Sequence, residues 1–176
     1  MQRIMKGKAY KFGDDINTDY IIAGKYTKTL DFGALAEHVF EDVAPDFSKI
    51  VEPGDFVVAG RNFGCGSSRE QAPIAIKYAG VGAILAKSYS RIFFRNAINR
   101  GIPAFLCDTD AIDHGDGLIV DLEKNSVELP EKGRSVVLFP LSPVMLDILA
   151  EGGLVEYLKK HGTYILPPHS KARERD

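Results

Sequence analysis

The strongest constraint on the fold is a series of three short, predominantly apolar segments with helical sequence between them. Residues 55–60 (DFVVAG), 82–88 (GAILAKS) and 102–107 (IPAFLC) are interpreted as strands buried on both faces. Strands that alternate with helices over short connections favour a parallel sheet covered by helices. The pattern therefore predicts an α/β fold.

The first connection begins with a glycine-rich loop and continues as a helix. Between Arg69 and Ala79, alanine and isoleucine recur at helical spacing, and Gly80 suits the end of a helix. Pro73 is tolerated only in the first turn of a helix, so the helix is expected to begin close to Ser68.

The rest of the chain extends this α/β pattern to a mixed sheet. We predict a strand at 7–12, a loop at 13–29, a helix near 32–41, a helix at 90–100 capped by Ser90, a hairpin at 118–129 turning near Lys124–Asn125, a strand at 135–139, and one or two helices over 143–160. The expected fold is one domain over residues 1–166, a partly parallel sheet flanked by helices, followed by a polar tail at 167–176.

Length and composition restrict the possible partners. The chain has 176 residues and a net charge of −2, which suits one domain and gives no sign of a nucleic-acid footprint. It contains no apolar run of about 20 residues, and its first residues lack the apolar core of a signal peptide. A cytoplasmic protein without membrane contact is expected.

The chain has two cysteines, Cys65 and Cys107. Two cysteines in unlike contexts cannot supply a conventional four-cysteine iron–sulfur cluster or a Cys-x-x-Cys zinc site. No metal ligand is therefore predicted in this chain. Any cluster that the chemistry needs must come from another chain.

The glycine-rich loop at 60–70 (GRNFGCGSSRE) is the main candidate for a functional site. Glycines let the backbone approach a ligand closely, and the amide groups at a helix start favour anions. Ser67, Ser68 and Arg69 lie at this junction, and the planar guanidinium of Arg69 suits a carboxylate. The loop matches neither a P-loop nor a dinucleotide fingerprint. It predicts an anion site for carboxylate or phosphate; the alternative is a tight turn whose serines cap the helix.

Three segments in the same order resemble one known family. GRNFGCGSSREQAP, AILAKSYSRIFFRNAINRGIPAF and GDDINTDYIIAGKY are similar to segments of the swivel domain of the aconitase superfamily. The resemblance covers roughly residues 6–160 and is closest to the stand-alone small subunits of 3-isopropylmalate dehydratase and homoaconitase type. Gln71 departs from the pattern, because many relatives carry histidine there.

This resemblance implies a hydro-lyase that removes water from a hydroxy acid and adds it back. Ser67 resembles the serine base, Arg69 a residue that binds a carboxylate or stabilises the alkoxide, and Asp19 an acid that supports the site. Ser68 and Gly66 would contact the substrate. The hydroxyl would leave to iron in a [4Fe–4S] cluster, which in this family belongs to a large subunit.

The segment YTKT at 26–29 lies where this family reads the variable arm of its substrate. Tyr26, Lys28 and Thr29 are therefore expected to contact the substrate. A cation such as Lys28 would suit an extra carboxylate, as in homoaconitase-type substrates, whereas an apolar residue would suit an isopropyl group. Overall resemblance favours 3-isopropylmalate, an intermediate of leucine biosynthesis, and leaves homoaconitase and 2,3-dimethylmalate types open. A non-catalytic anion-binding or regulatory module is the alternative of another class.

Overall fold

The computed structural model describes residues 2–164, whose seven strands form a closed barrel. The strands are β1 (Ile4–Lys11), β2 (Phe56–Ala59), β3 (Ala83–Ala86), β4 (Ala104–Cys107), β5 (Gly117–Asp121), β6 (Ser126–Leu129) and β7 (Arg134–Phe139). The helices are α1 (Thr18–Ile21), α2 (Phe32–Glu37), α3 (Phe47–Ile50), α4 (Gln71–Tyr78), α5 (Arg91–Asn99), α6 (Pro143–Ala150) and α7 (Leu154–His161), with short 3-10 turns at Gly24–Tyr26 and Pro130–Lys132. The polar tail predicted at 167–176 lies outside the described residues.

The barrel has a parallel half and an antiparallel half. Strands β1, β2, β3 and β4 pair in parallel, in that spatial order. The hairpin of β5 and β6, with β7, pairs antiparallel and closes the ring against β4 on one side and β1 on the other. The α/β fold with a mixed sheet and flanking helices is thus confirmed. No helix within residues 2–164 is long and apolar enough to cross a bilayer.

Alternation along the buried strands divides the core into two clusters. On β2, Phe56 and Val58 point into the barrel, where they pack with residues such as Leu85 and Val120. Val57 and Ala59 face the other way and pack against the helices. Successive side chains of a strand lie on opposite faces, so a strand apolar at every position can serve both clusters.

Two helix boundaries differ from the sequence-based expectation. Helix α4 begins at Gln71 rather than near Ser68, and the side chain of its N-cap residue, Glu70, forms no cap hydrogen bond. Pro73 still lies in the first turn, as its missing N–H requires. Helix α2 ends at Glu37, earlier than expected, and Phe40 just beyond it has a left-handed φ of 58°.

Three loops meet where the parallel strands end. The chain leaves β1 into residues 12–17, β2 into residues 60–70 and β3 into residues 87–90. The carboxyl ends of parallel strands lie at one edge of a sheet, which is where open α/β sheets commonly bind ligands. The glycine-rich loop therefore lies between two other loops.

Candidate active site

Backbone hydrogen bonds fasten the glycine-rich loop on both sides. Toward the loop after β3, Phe63 N donates to Ser88 O at 3.0 Å and Ser90 N to Phe63 O at 2.9 Å. Toward the loop after β1, Gly64 N donates to Ile16 O at 2.7 Å. The loop is therefore held between its two neighbours by isolated β-bridges.

Two glycines of this loop are required by geometry. Gly64 has φ +75°, and a Cβ there would lie 2.1 Å from the ring of Phe93, a buried residue of α5. Gly66 has φ +86°, a conformation that residues with a side chain rarely adopt. The close approach and the left-handed turns explain the glycine pattern that the sequence displayed.

Two aspartates at the start of the 13–29 segment serve the loop as structural acceptors. Asp14 Oδ1 accepts from Arg61 N at 2.6 Å, and Asp15 Oδ1 accepts from Asn62 Nδ2 at 2.8 Å. Both contacts orient the entry to the loop.

Ser67 and Ser68 are exposed and lie on the rim of a small crevice. The crevice is also lined by Gly66 and Arg69, by Ser90 just before α5 and by Asn96 within α5. Neither serine hydroxyl forms a hydrogen bond within residues 2–164, so neither caps α4. Both hydroxyls are available to a ligand, which removes the capping alternative for these two residues.

Arg69 binds the segment around α1. Its Nη1 lies 2.6 Å from Asp19 Oδ1 and donates to Ile22 O at 3.1 Å. Its Nη2 packs beside Gly24, where an added Cβ would lie 3.4 Å away. Within the described part of the chain, these protein acceptors use Nη1 alone, so the Nε and Nη2 donors remain for a ligand.

Thr18 is a site residue that sequence reasoning did not identify. It is 2% exposed, and its backbone N donates to Cys65 O at 2.9 Å while its Oγ1 donates to Ser67 O at 2.8 Å. A threonine inside a segment predicted to be a loop carries no sequence signal of this kind. The NTDY sequence pointed to the neighbouring Asp19 instead.

The segment expected to read the substrate's arm is attached to the same loop through α4. Gln71 Nε2 donates to Thr27 O at 3.1 Å. Lys28 is exposed and makes no ion pair with any residue between 2 and 164, and Thr29 Oγ1 accepts from Asp31 N at 3.0 Å. The structure thus places this segment next to Gln71, a position where the chain departs from the family pattern.

Tyr26, within this segment, is held by contacts with His38 and Glu41. Its hydroxyl donates to Glu41 Oε2 at 2.9 Å, and its ring stacks on His38 at 3.7 Å between centroids. His38 Nδ1 also lies 2.6 Å from Glu41 Oε2. The Tyr26 hydrogen bond, followed by that of His38, lowers the pKa of the Glu41 carboxyl below its ordinary value. This cluster anchors the segment.

The cysteines are poorly suited to metal binding. Burial, and to a lesser degree the charge of Asp15, raises the pKa of the Cys65 thiol. Burial raises the pKa of Cys107, inside the barrel, to about 12. A thiol must lose its proton to bind a metal. Across residues 2–164, no group of three His, Cys, Asp or Glu side chains is arranged to hold a metal ion. The residues present do not fit an iron–sulfur cluster.

Comparison with known proteins agrees with this arrangement. The family described as the aconitase C-terminal domain matches residues 14–105, which include all three loops of the site. The chain belongs to the aconitase C-terminal domain family.

Relatives within this family carry the names of two different enzymes. The chain is 57% identical to 3-isopropylmalate dehydratase small subunit 2 of Archaeoglobus fulgidus, over 90% of this chain and 96% of that protein. It is 50% identical to the methanogen homoaconitase small subunit of Methanocaldococcus jannaschii, over 89% of this chain and 92% of that protein.

A solved structure shares the fold over nearly the whole chain. The crystal structure of a 3-isopropylmalate dehydratase from Methanocaldococcus jannaschii superposes with a TM-score of 0.88 at 49% identity, covering 90% of this chain and 95% of that one.

Proposed function

We propose that this chain is the small subunit of a hydro-lyase that isomerises a hydroxy acid by dehydration and rehydration, as the names of its relatives describe. The observation that carries the proposal is the crevice shared by Ser67 and Arg69, where a free hydroxyl and free guanidinium donors meet at the carboxyl ends of parallel strands. A carboxylic acid fits these donors.

Ser67 would act as the base that takes a proton from the carbon next to a substrate carboxylate. The electron pair of the broken carbon–hydrogen bond would form the double bond, and the hydroxyl on the neighbouring carbon would take up a proton and leave as water. A serine hydroxyl loses its proton only where the resulting anion is stabilised. The free N–H groups of the loop and the guanidinium of Arg69 supply positive charge at this position.

Arg69 would hold the substrate carboxylate through Nε and Nη2. Asp19 and the Ile22 carbonyl keep Nη1 in place, so the guanidinium is oriented before the substrate arrives. Asp19 thus supports the site through Arg69. Ser68 and Gly66, on the same rim, would contact the substrate directly.

The variable arm of the substrate would extend toward Tyr26, Lys28 and Thr29. Relatives at 52% and 48% identity carry a 3-isopropylmalate and a homoaconitase name respectively, so identity in this range does not separate the two substrates. Two relatives at 57% and 54% identity are both named 3-isopropylmalate dehydratase small subunits, and they favour 3-isopropylmalate and therefore leucine biosynthesis. Lys28, an exposed cation that forms no ion pair within residues 2–164, is the feature that favours an acid with an additional carboxylate.

The [4Fe–4S] cluster would belong to a large subunit in the cytoplasm. The donor set of this chain does not fit a cluster, and the relatives are named as small subunits. The subunit would approach over the start of α5, which lines the Ser67 crevice. Arg91 and Arg95 on this helix are exposed and have no ion-pair partner within the described chain, which suits an acidic contact surface.

The experiment is reconstitution of the purified chain with a cognate large subunit, followed by the absorbance of the unsaturated acid. Ser67→Ala is expected to lower kcat by ~10²–10⁴-fold, the usual contribution of an acid–base group. Ser135→Ala, an exposed serine on β7, is the matched control and should leave turnover unchanged. Full turnover by Ser67→Ala would exclude the base assignment. Binding to the large subunit without any turnover would favour a regulatory module.

A further inference from the structure

Thr18 makes the hydrogen bond that holds the backbone of Ser67. Among residues 2–164, the bond from Thr18 Oγ1 to Ser67 O, 2.8 Å long, is the one hydrogen bond in which any atom of Ser67 takes part. The side chain of Ser67 is exposed and its hydroxyl has no protein partner. The position of its Oγ therefore depends on how the backbone of the loop is fixed.

Thr18 is hydrogen-bonded to Cys65 and Ser67, the two residues that flank Gly66 in the loop. Its backbone N donates to Cys65 O at 2.9 Å and its hydroxyl to Ser67 O, so the two bonds enclose Gly66. Gly66 has φ +86° and the largest conformational freedom of any residue type. One buried threonine thus fixes the carbonyls on both sides of the glycine hinge.

The same residue also reaches Arg69. The carbonyl of Thr18 accepts from Ile22 N at 3.0 Å, which closes the turn of α1, and the carbonyl of Ile22 accepts from Arg69 Nη1. Ser67 and Arg69 are therefore both held by hydrogen bonds to residues of the short α1 turn and its C-cap. Thr18 therefore contributes to the spacing of both residues, and Asp19 adds a further contact to Arg69.

We propose that Thr18 is a positioning residue, which sets the location of the Ser67 hydroxyl for proton transfer. This inference rests on the proposed function, because it takes Ser67 as the base. A shift of about 1 Å in a reacting group can cost ~100-fold in rate. Loss of the hydroxyl should thus lower kcat, while substrate binding through Arg69 is retained.

The test compares Thr18→Val, Thr18→Ala and Thr18→Ser in the enzyme reconstituted with its large subunit. Thr18→Val and Thr18→Ala should lower kcat by ~10–100-fold, with KM changed less than about threefold. Thr18→Ser keeps the hydroxyl and should restore kcat to near the wild-type value. Equal kcat in Thr18→Ala and the wild type would overturn the inference, as would a failure of serine to rescue.

Thr109→Val is the matched control for a merely structural effect. Thr109 is 1% exposed, and its Oγ1 donates to the carbonyl of Ala59 at 2.9 Å, so the same chemical group is lost at the same burial. Both valine variants should shift the melting temperature by a similar amount, but only Thr18→Val should lower kcat. An equal fall in kcat for both would show general destabilisation.

The two proposals fail in different ways. If Ser67→Ala retains full turnover, the base assignment is wrong whatever Thr18 does. If Ser67→Ala is inactive and Thr18→Val, Thr18→Ala and the wild type share one kcat, Ser67 remains the base and Thr18 has no positioning role.

Discussion

The loop at 60–69 and the segment at 24–29 both border the candidate site, but they are held very differently. The loop is fastened by backbone hydrogen bonds to the loops after β1 and β3 and by the buried Thr18. The segment is attached by side chains, through Gln71 to Thr27 and through Tyr26 to Glu41. Reaction chemistry requires fixed geometry, whereas selectivity among arms is altered by changing a few exposed side chains. Under the proposed function, the rigid loop would therefore determine the reaction and the segment at 24–29 the choice of substrate.

The largest expected effect is on the rigid loop. Gly64→Ala introduces a Cβ 2.1 Å from Phe93 and forces alanine to adopt a φ of +75°. Overpacking and left-handed strain together should cost about 3 kcal/mol or more of unfolding free energy, measured by denaturant titration. Gly115→Ala is the control: it has φ +86° but no atom within 4 Å of the added Cβ, so it should cost only about 1–2 kcal/mol. Equal losses of unfolding free energy in the two variants would mean that the loop shifts to accommodate the added methyl group.

Arg69→Lys tests whether the fixed side of the site binds the substrate through a planar fork. Lysine keeps the charge but loses the paired donors, so kcat/KM should fall by about 30-fold, roughly 2 kcal/mol. Steady-state kinetics of the reconstituted enzyme measures this. Arg100→Lys, which alters an ion pair with Glu70 outside the crevice, should leave kcat/KM unchanged. An unaffected Arg69→Lys enzyme would remove Arg69 from substrate binding.

Lys28→Val tests the adaptable segment. If Lys28 reads an additional carboxylate, the ratio of kcat/KM for a homoaconitase-type acid to that for 3-isopropylmalate should fall about fivefold, close to 1 kcal/mol for an exposed ion pair. A substrate panel that includes a dimethylmalate acid measures the ratio. Lys49→Val, on α3, is the matched exposed lysine. If the ratio is the same in Lys28→Val and the wild type, Lys28 gives no argument for a substrate with an additional carboxylate.

The smallest expected effect is the pH dependence of the hydrogen bond from Tyr26 to Glu41, which anchors the segment at 24–29. The pKa of Glu41 is lowered from its ordinary 4.5, so its unfolded pKa lies above its folded one. The ionised anchor therefore contributes fully above pH 4.5, and its contribution is lost as pH falls through the lowered pKa. NMR signals of Tyr26 and Thr27 should shift over that acid range in the wild type but not in Glu41→Gln. Signals of residues 62–66 should not follow this titration.

The parallel half of the fold could be predicted because its pattern is local. The segments expected at 55–60, 82–88 and 102–107 contain β2, β3 and β4, and the helix expected at 90–100 contains α5, whereas α4 begins three residues later than the expected start near Ser68. Closure of the barrel could not be predicted, because β1 pairs with β5 across more than 100 residues and no local pattern specifies such a contact. In the site, Ser67 and Arg69 follow from a dense motif. Thr18 does not, because a buried hydroxyl and a solvent-facing one are identical in sequence.

Barrel closure also has a consequence for the order in which the chain becomes structured. Strand β1 pairs with β2 and β5, and β4 pairs with β7 through two residue pairs, Leu106↔Phe139 and Cys107↔Leu138. Strand β7 is the last of the seven strands to be synthesised, so its pairing with β4 can form only after the other strands are available. During synthesis, the glycine-rich loop can therefore assemble within the helix-connected parallel half before β7 has left the ribosome. The seam between β4 and β7 then completes the ring, and it is where hydrogen exchange should first reveal the barrel opening again.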